Sequence, residues 1–463
     1  MDFNAKHTRA ILQFFVLIFL SVAGILGAYN FKAIRQFFIG AAGQEANIVI
    51  QTDNVQGTLS RPWRNLAQGG EDKNWRLGPL TNQVKVLNTE YIRIDHLTDF
   101  YDIVHGTSGN LSYDFSKLDP IIADIRAAGA TPFLSLSYMP LAFATNGDIT
   151  APPANWGDWQ NTTRAIIEHV SGTLNIPNVY YEVWNEPDLF GGYKTYGSRN
   201  YLTMYTYAAQ GAKQARVKQP YKFGGPAVTA LYQNWVDALV KLSIDQNLPL
   251  DFFSWHRYST SIDTFRSDVS TVHNWLAPYP SKQNIELLIT EWGHDPKNNA
   301  GYDNNFGAIH TMAVSTEFVD LINRAFLFEI QDGKDPAGNV HWGRWGIFDS
   351  TGAPKPRYNA LRFLEKLGSQ KLQLLGRGTW VKGIAAKDGE DTTALIINYD
   401  SQSRHIETTP VTFTGITPGN FIITEQYFGK SPIERPVATT SGELRIAIPF
   451  EVNSAVFLRL HHL

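Results

Sequence analysis

The sequence predicts a (β/α)8 barrel of the α/β class with an all-β sandwich behind it, and three observations carry that prediction. Apolar β-type runs recur eight times with helix-like segments between them. Their spacing of roughly 25 to 47 residues is the size of βα units. From about residue 371 the texture changes to short alternating runs split by turn residues, as in a sandwich. A total of 463 residues suits one large domain plus a small one. An open doubly wound sheet is the competing architecture, but the sequence holds no Gly-rich phosphate loop to mark one.

Taken in order, residues 10–31 ("AILQFFVLIFLSVAGILGAYNF") have only Gln13 and Asn30 as strongly polar members. About 20 helical residues cross a bilayer core, so this run predicts a single-pass transmembrane anchor. Residues 1–9, with Lys6 and Arg9, form a short cytoplasmic tail, and the remainder is expected outside the cytoplasm. Gly40-Ala41-Ala42-Gly43 keeps a cleaved export signal, and hence secretion, as the alternative. Residues 32–45 read as a juxtamembrane linker, 46–370 as the barrel and 371–463 as the sandwich. Residues 46–60 ("ANIVIQTDNVQGTLS") share the texture of the last segment and are a candidate extra strand of it. Barrel strands are expected at 65–69, 91–96, 132–138, 179–185, 222–226, 251–258, 286–291 and 324–331, with helices at 119–128, 159–173 and 200–217 among them.

Composition removes several classes of function. The chain has no cysteine, which excludes thiol catalysis, disulfides and thiolate metal sites. Its 12 histidines are scattered without metal-ligand spacing, so neither a metal nor a cofactor is expected. A net charge of -3 with no basic run gives no reason to expect a nucleic-acid partner.

The chemistry is carried by two strand ends. "VYYEVWNEPD" stops an apolar strand on Asn185 and Glu186, and "IELLITEW" ends the same way on Glu291. These are the fourth and seventh strands, and a barrel does its chemistry at the C-terminal ends of its strands. Both carboxylates therefore belong at the mouth, across from one another. Two such groups are the minimum equipment for hydrolysing a glycosidic bond: one gives its proton to the leaving oxygen, the other attacks the anomeric carbon. The bland alternative makes one glutamate a helix cap or half of an ion pair.

"WNEPD" followed by "TEW" resembles glycoside hydrolase clan A, and the details are most similar to family 39, which includes β-xylosidases and α-L-iduronidases. "EYIRIDHLTDFYDIV", "YDFSKLDPIIADIRAAGATPFLSLSYMP", "FFSWHRY" and "WGIFDSTGAPKPRYNALRFLEKL" extend the resemblance over most of the chain. It implies Glu186 as acid/base, Glu291 as nucleophile, retention of anomeric configuration and a β-sandwich beside the barrel. It also implies that Asn185 binds the sugar 2-hydroxyl, that Tyr258 donates to Glu291 and that His256 lines the site. One departure stands out. Family xylosidases tend to read His-Gly after the arginine of strand two, where this chain reads Ile94-Asp95-His96.

Other candidates follow from position. Arg93 either holds Glu291 ionised or is a structural barrel arginine. Asp95, His96 and Asp99 are polar at a strand end and are candidates to select hydroxyls. Trp184 directly precedes Asn185, so it faces away and reads as core. Trp292 and Trp345 are either sugar-stacking surfaces or core. The expected partner is an oligo- or polysaccharide, with the membrane engaged through the N-terminal helix. A membrane-tethered, non-hydrolysing polysaccharide-binding or scaffold protein, or a transglycosylase, remains the alternative to a retaining hydrolase.

Overall fold

A computed structural model describes residues 43–463. The expected anchor at 10–31 lies outside the described residues. Among those described, no helix is long and apolar enough to cross a membrane.

The strands run β1 (Ile48–Thr58), β2 (Asn65–Gln68), β3 (Tyr91–Ile94), β4 (Val104–Thr107), β5 (Asn110–Tyr113), β6 (Thr131–Leu136), β7 (Val179–Val183), β8 (Tyr221–Val228), β9 (Phe252–Tyr258), β10 (Glu286–Gly293) and β11 (Arg324–Phe328). Eight of them, in the order β2-β3-β6-β7-β8-β9-β10-β11, close into a parallel barrel, with β11 pairing back onto β2. Every barrel strand overlaps a run expected from sequence, with β6 and β8 starting one residue earlier and β8 and β10 running two residues further. Phe133, Tyr180, Phe252, Leu288 and Phe326 fill the barrel interior. Outward-facing residues such as Ile92, Leu134, Tyr181 and Phe253 pack under the helices.

Helices α1 (Thr81–Lys85), α2 (Asp119–Ala127), α3 (Trp156–Ile167), α4 (Tyr201–Gln214), α5 (Gln233–Asp245), α6 (Asp263–Leu276), α7 (Asn305–Phe318) and α8 (Pro356–Leu364) surround it. Asparagine starts three of them. The Asn155, Asn200 and Asn304 side chains accept the N–H of Gly157, Leu202 and Phe306, supplying partners the first turn lacks. The helix expected at 159–173 begins earlier, at Trp156, and widens into a π-helical turn from Glu168 to Thr173. α7 is buried on every side from Gly307 to Phe318, because β13 (Val381–Asp388) and β14 (Asp391–Asn398) cover the face turned away from the barrel.

Those two strands belong to the C-terminal sheet, with β12 (Gln370–Leu375), β15 (Glu407–Thr414), β16 (Gly419–Tyr427), β17 (Ile433–Thr439), β18 (Glu443–Phe450) and β19 (Ser454–His462). The expected sandwich of two sheets is in fact one continuous hydrogen-bonded sheet, ordered β17-β16-β19-β14-β13-β12-β1-β15-β18. It curls so that Ile48, Ile50, Val411 and Phe413 share a core with Ile396, Ile423, Val456 and Leu458. β1 lies inside this sheet, antiparallel to β12 and parallel to β15.

Candidate active site

β7 ends at Val183 and the chain then turns sharply. Trp184 has φ 73° and Glu186 φ 45°, left-handed values that cost a bulky residue energy. Backbone bonds hold the turn: Trp184 N–H donates to Leu136 carbonyl at 3.2 Å, and Glu186 N–H to Ala227 carbonyl at 2.9 Å. The result drives Trp184 outward against Tyr138, Trp159 and Tyr193, and leaves Asn185 and Glu186 at the mouth. On β10 a register irregularity between Ile289 and Glu291 sets Glu291 opposite His256 of β9. A bulge of this kind re-aims a side chain at the rim of a barrel.

Glu186, Glu291 and His256 now meet. One oxygen of each carboxylate and one imidazole nitrogen all lie within 4.8 Å of one another. His256 Nδ1 is 2.8 Å from Glu186 Oε1 and 3.4 Å from Glu291 Oε2. A contact of 2.8 Å between a carboxylate and a ring nitrogen needs a proton on one of them, so the Glu186–His256 link stores one beside the cleft. Burial alone would lower the His256 pKa, but the carboxylates of Glu291 and Glu186 outweigh it and raise it. Among the described residues this is the one cluster spaced to hold a cation, and its members already bond one another.

Glu291 is fixed from two further sides. Arg93 Nη1 donates to Oε1 at 2.9 Å, and Tyr258 hydroxyl donates to Oε2 at 3.0 Å. Arg93, wholly buried, also donates to Glu182 at 2.8 Å and to Asn185 Oδ1 at 2.8 Å. Asn185 Nδ2 in turn donates to Tyr138 hydroxyl at 3.0 Å, leaving its second amide hydrogen for a ligand.

Burial pushes the Glu291 carboxyl up to about 7 against the pull of His256 and Arg93. A carboxyl that holds its proton more tightly folded than unfolded makes the folded state bind more protons, so stability falls as pH rises. The window runs from the ordinary carboxylate range, about 4.3, to about 7. In the nucleophile role proposed below Glu291 must be ionised, so activity should move the other way. We expect kcat/KM to fall below about pH 7 while the melting temperature rises, and Glu291→Gln to remove that slope in melting temperature. Parallel melting curves for parent and variant across this window would count against the assignment.

The remaining candidates separate into those at the cleft and those away from it. A cavity of about 580 Å³ is lined by Asp95, His96, Asn185, Glu186, Tyr258, Glu291 and Trp345, within the size range of small-ligand sites. His96 stacks on Phe100 with ring centroids 4.2 Å apart, and its Nδ1 lies 2.8 Å from Asp99 Oδ2. Asp99 therefore positions His96 and does not line the cleft itself. A side chain at Gly70 would come within 2.3 Å of His96 Nε2, so only glycine lets that ring stand where it does. Trp345 donates its indole N–H to Asp295 carbonyl at 3.2 Å, and one face is covered by the Arg344 guanidinium 3.7 Å from the ring centroid.

Trp292 is the misplaced candidate. It is fully buried against Phe265 and Phe318, on the helix side of β10. Adjacent residues of a strand face opposite ways, so with Glu291 inward Trp292 had to point out. Sequence reasoning also missed Glu182, Tyr138, Phe328 at the end of β11, and the loop residues Glu71, Leu189 and Phe190. Glu182 carried a usable signal: a lone carboxylate in the apolar run "VYYEV" requires a buried partner, and Arg93 is it.

The model of the glycosyl hydrolases family 39 matches residues 47–412. The chain belongs to that family. It is an O-glycosyl hydrolase of family 39. It is 26% identical over 353 residues to a β-xylosidase of Caldicellulosiruptor saccharolyticus, covering 70% of this chain and 71% of that one. The family 39 fold also matches a crystal structure of a monomeric β-xylosidase from Caulobacter crescentus CB15 with a TM-score of 0.77 at 19% identity, covering 90% of this chain and 100% of that one. A family 39 enzyme from Xanthomonas axonopodis pv. citri gives 0.76 at 19% identity, over 91% and 98%.

Proposed function

We propose that this family 39 enzyme cleaves glycosidic bonds in oligo- or polysaccharide with retention of configuration, Glu291 acting as nucleophile and Glu186 as acid/base. The observation that carries the reading is the approach of a Glu186 and a Glu291 oxygen to within 4.8 Å. Retaining enzymes place their carboxyl groups about 5–5.5 Å apart, whereas inverting ones need about 6.5–9.5 Å to admit a water.

The two donors on Glu291, Arg93 and Tyr258, favour its carboxylate and aim it. In the first step a Glu291 oxygen bonds the anomeric carbon as the glycosidic C–O bond breaks, and the departing oxygen takes the proton from Glu186. In the second, Glu186 removes a proton from water, whose oxygen displaces Glu291 from the same carbon. Before the first step and after the second, when Glu186 carries its proton, His256 Nδ1 at 2.8 Å is placed to share it. Asn185, pinned by Arg93 and Tyr138, presents its free amide hydrogen toward a sugar hydroxyl beside the reacting carbon.

The test is a panel of aryl glycosides and polysaccharides with the full-length protein, following the first-formed anomer by NMR. The β-xylosidase activity of its relatives makes β-xylosides the first substrates to try. Asp95-His96 in place of the family's His-Gly is the reason to try other sugars beside them. Glu186→Ala is expected to lose about 10²–10⁴-fold on poor leaving groups, and far less on a dinitrophenyl glycoside that needs no proton. Equal losses on both would remove Glu186 from the acid role.

The apolar run 10–31 supports a further part of the reading: a membrane tether holding the barrel outside the cytoplasm. Full-length protein should stay with the membrane pellet through an alkaline carbonate wash. Release into the supernatant would favour the cleaved-signal alternative.

A further inference from the structure

We propose that the leaving-group side of the cleft is an apolar subsite, suited to a glycoside whose aglycone is an alkyl or aryl group. The inference rests on the reading of Glu186 as the acid. A proton donor must reach the glycosidic oxygen, so the departing group lies beyond Glu186, over the residues that flank it.

Those residues are mostly carbon. The turn after Glu186 is closed by the N–H groups of Leu189 and Phe190, which donate to the Glu186 carbonyl at 2.9 and 2.7 Å. That geometry fixes both side chains next to the acid, where they line the cavity with 60% and 40% of their surface exposed. Thr229 and Ala230, just after β8, continue the wall. Tyr232, 40% exposed, joins it through a hydroxyl 3.3 Å from Thr229 Oγ1. Large apolar side chains left in water as neighbours, at the edge of a catalytic cleft, mark a contact surface in a way that scattered ones do not.

The polar groups behind this wall are occupied by one another. Asp188 accepts both the N–H and the hydroxyl of Thr229, tying the β7 and β8 loops together. Trp184 donates its indole N–H to the Phe190 carbonyl at 3.0 Å. The opposite wall differs in kind: Glu71, Asp95 and His96, approached closely through Gly69 and Gly70, offer acceptors and donors to sugar hydroxyls. A second sugar ring placed on Leu189 and Phe190 would gain no hydrogen bond from these side chains, whereas an alkyl chain or aryl ring there buries apolar area.

The experiment fixes the sugar, as identified by the panel above, and varies only the aglycone. Full-length protein is assayed on methyl, butyl and hexyl glycosides, whose leaving alcohols are similarly basic but differ in apolar area. The expected result is a rise in kcat/KM of at least ~10-fold from methyl to hexyl, and a flattened series in the Leu189→Ser, Phe190→Ser double variant. A second measurement needs no variant. With an activated aryl donor, hexanol should capture the glycosyl group from Glu291 at least ~10-fold better than methanol at equal concentration.

Equal capture, or a flat series with faster turnover of a disaccharide of the same sugar, would overturn the subsite while leaving the glycosidase reading intact. Failure to turn over any glycoside would overturn both. A glycosylated isoprenol in phosphatidylcholine vesicles, set against a soluble phenethyl glycoside, separates a membrane-borne aglycone from a soluble one. Preference for either over the disaccharide supports the subsite.

Discussion

Glu291→Ala is expected to lower kcat on a reactive aryl glycoside by about 10⁴-fold or more, because the variant lacks the oxygen that, in the proposed mechanism, attacks the anomeric carbon. The cavity left beside Arg93, Tyr258 and His256 should then admit a small anion, drawn by the Arg93 and Tyr258 donors that formerly faced the carboxylate. Added azide should restore turnover and release a glycosyl azide of configuration opposite to the substrate. Rescue with the same configuration, or residual activity within about tenfold of the parent, would remove Glu291 from the nucleophile role.

Arg93→Met should carry the largest combined effect on stability and rate. The guanidinium is the cation between Glu182 and Glu291, and it is fully buried. Removing one partner from a buried pair leaves charge uncompensated, at a cost of about 3–5 kcal/mol. Glu291 would also lose a charge-assisted donor, raising its carboxyl further and moving the acid limb of kcat/KM to higher pH. Adding Glu182→Gln to Arg93→Met separates the two consequences. The second substitution should recover much of the melting temperature and none of the lost rate, which we expect to be about 10²–10³-fold. Recovery of both would make Arg93 a purely structural residue.

The barrel was legible because its strands are buried on both faces and so read as unbroken apolar runs. β7, "VYYEV", is buried at every position. α7 was not legible by the same logic. It is enclosed between the barrel and the C-terminal sheet, so it shows no polar face and no amphipathic period. The hairpin of β4 and β5 was hidden in a stretch that reads as an Asp-containing loop, since two four-residue strands give little periodic signal.

At the cleft, the pairing of Glu186 with Glu291 could be reached from strand position alone, because topology decides which strand ends share a mouth. Trp292 shows the limit of reading a neighbour in sequence as a neighbour in space: one step along β10 changes the face. Leu189 and Phe190 could not be anticipated. Their placement depends on the turn closed onto the Glu186 carbonyl, which no residue type announces.

β1 has a consequence for how the molecule is made. Its Ile48 pairs with Val411 and its Val49 with Leu375, so both neighbours are supplied by the far end of the chain. At roughly 5–20 residues per second, synthesis takes some tens of seconds to pass from one to the other. Throughout that interval a strand whose Ile48 and Ile50 end fully buried has no edge to join. The barrel can gather its parts as they emerge, but the sheet that embraces β1 closes last. A nascent chain stalled before β15 would therefore present an open strand to any other chain nearby, and the segment most in need of a holding chaperone is the one that emerges early, not the catalytic barrel.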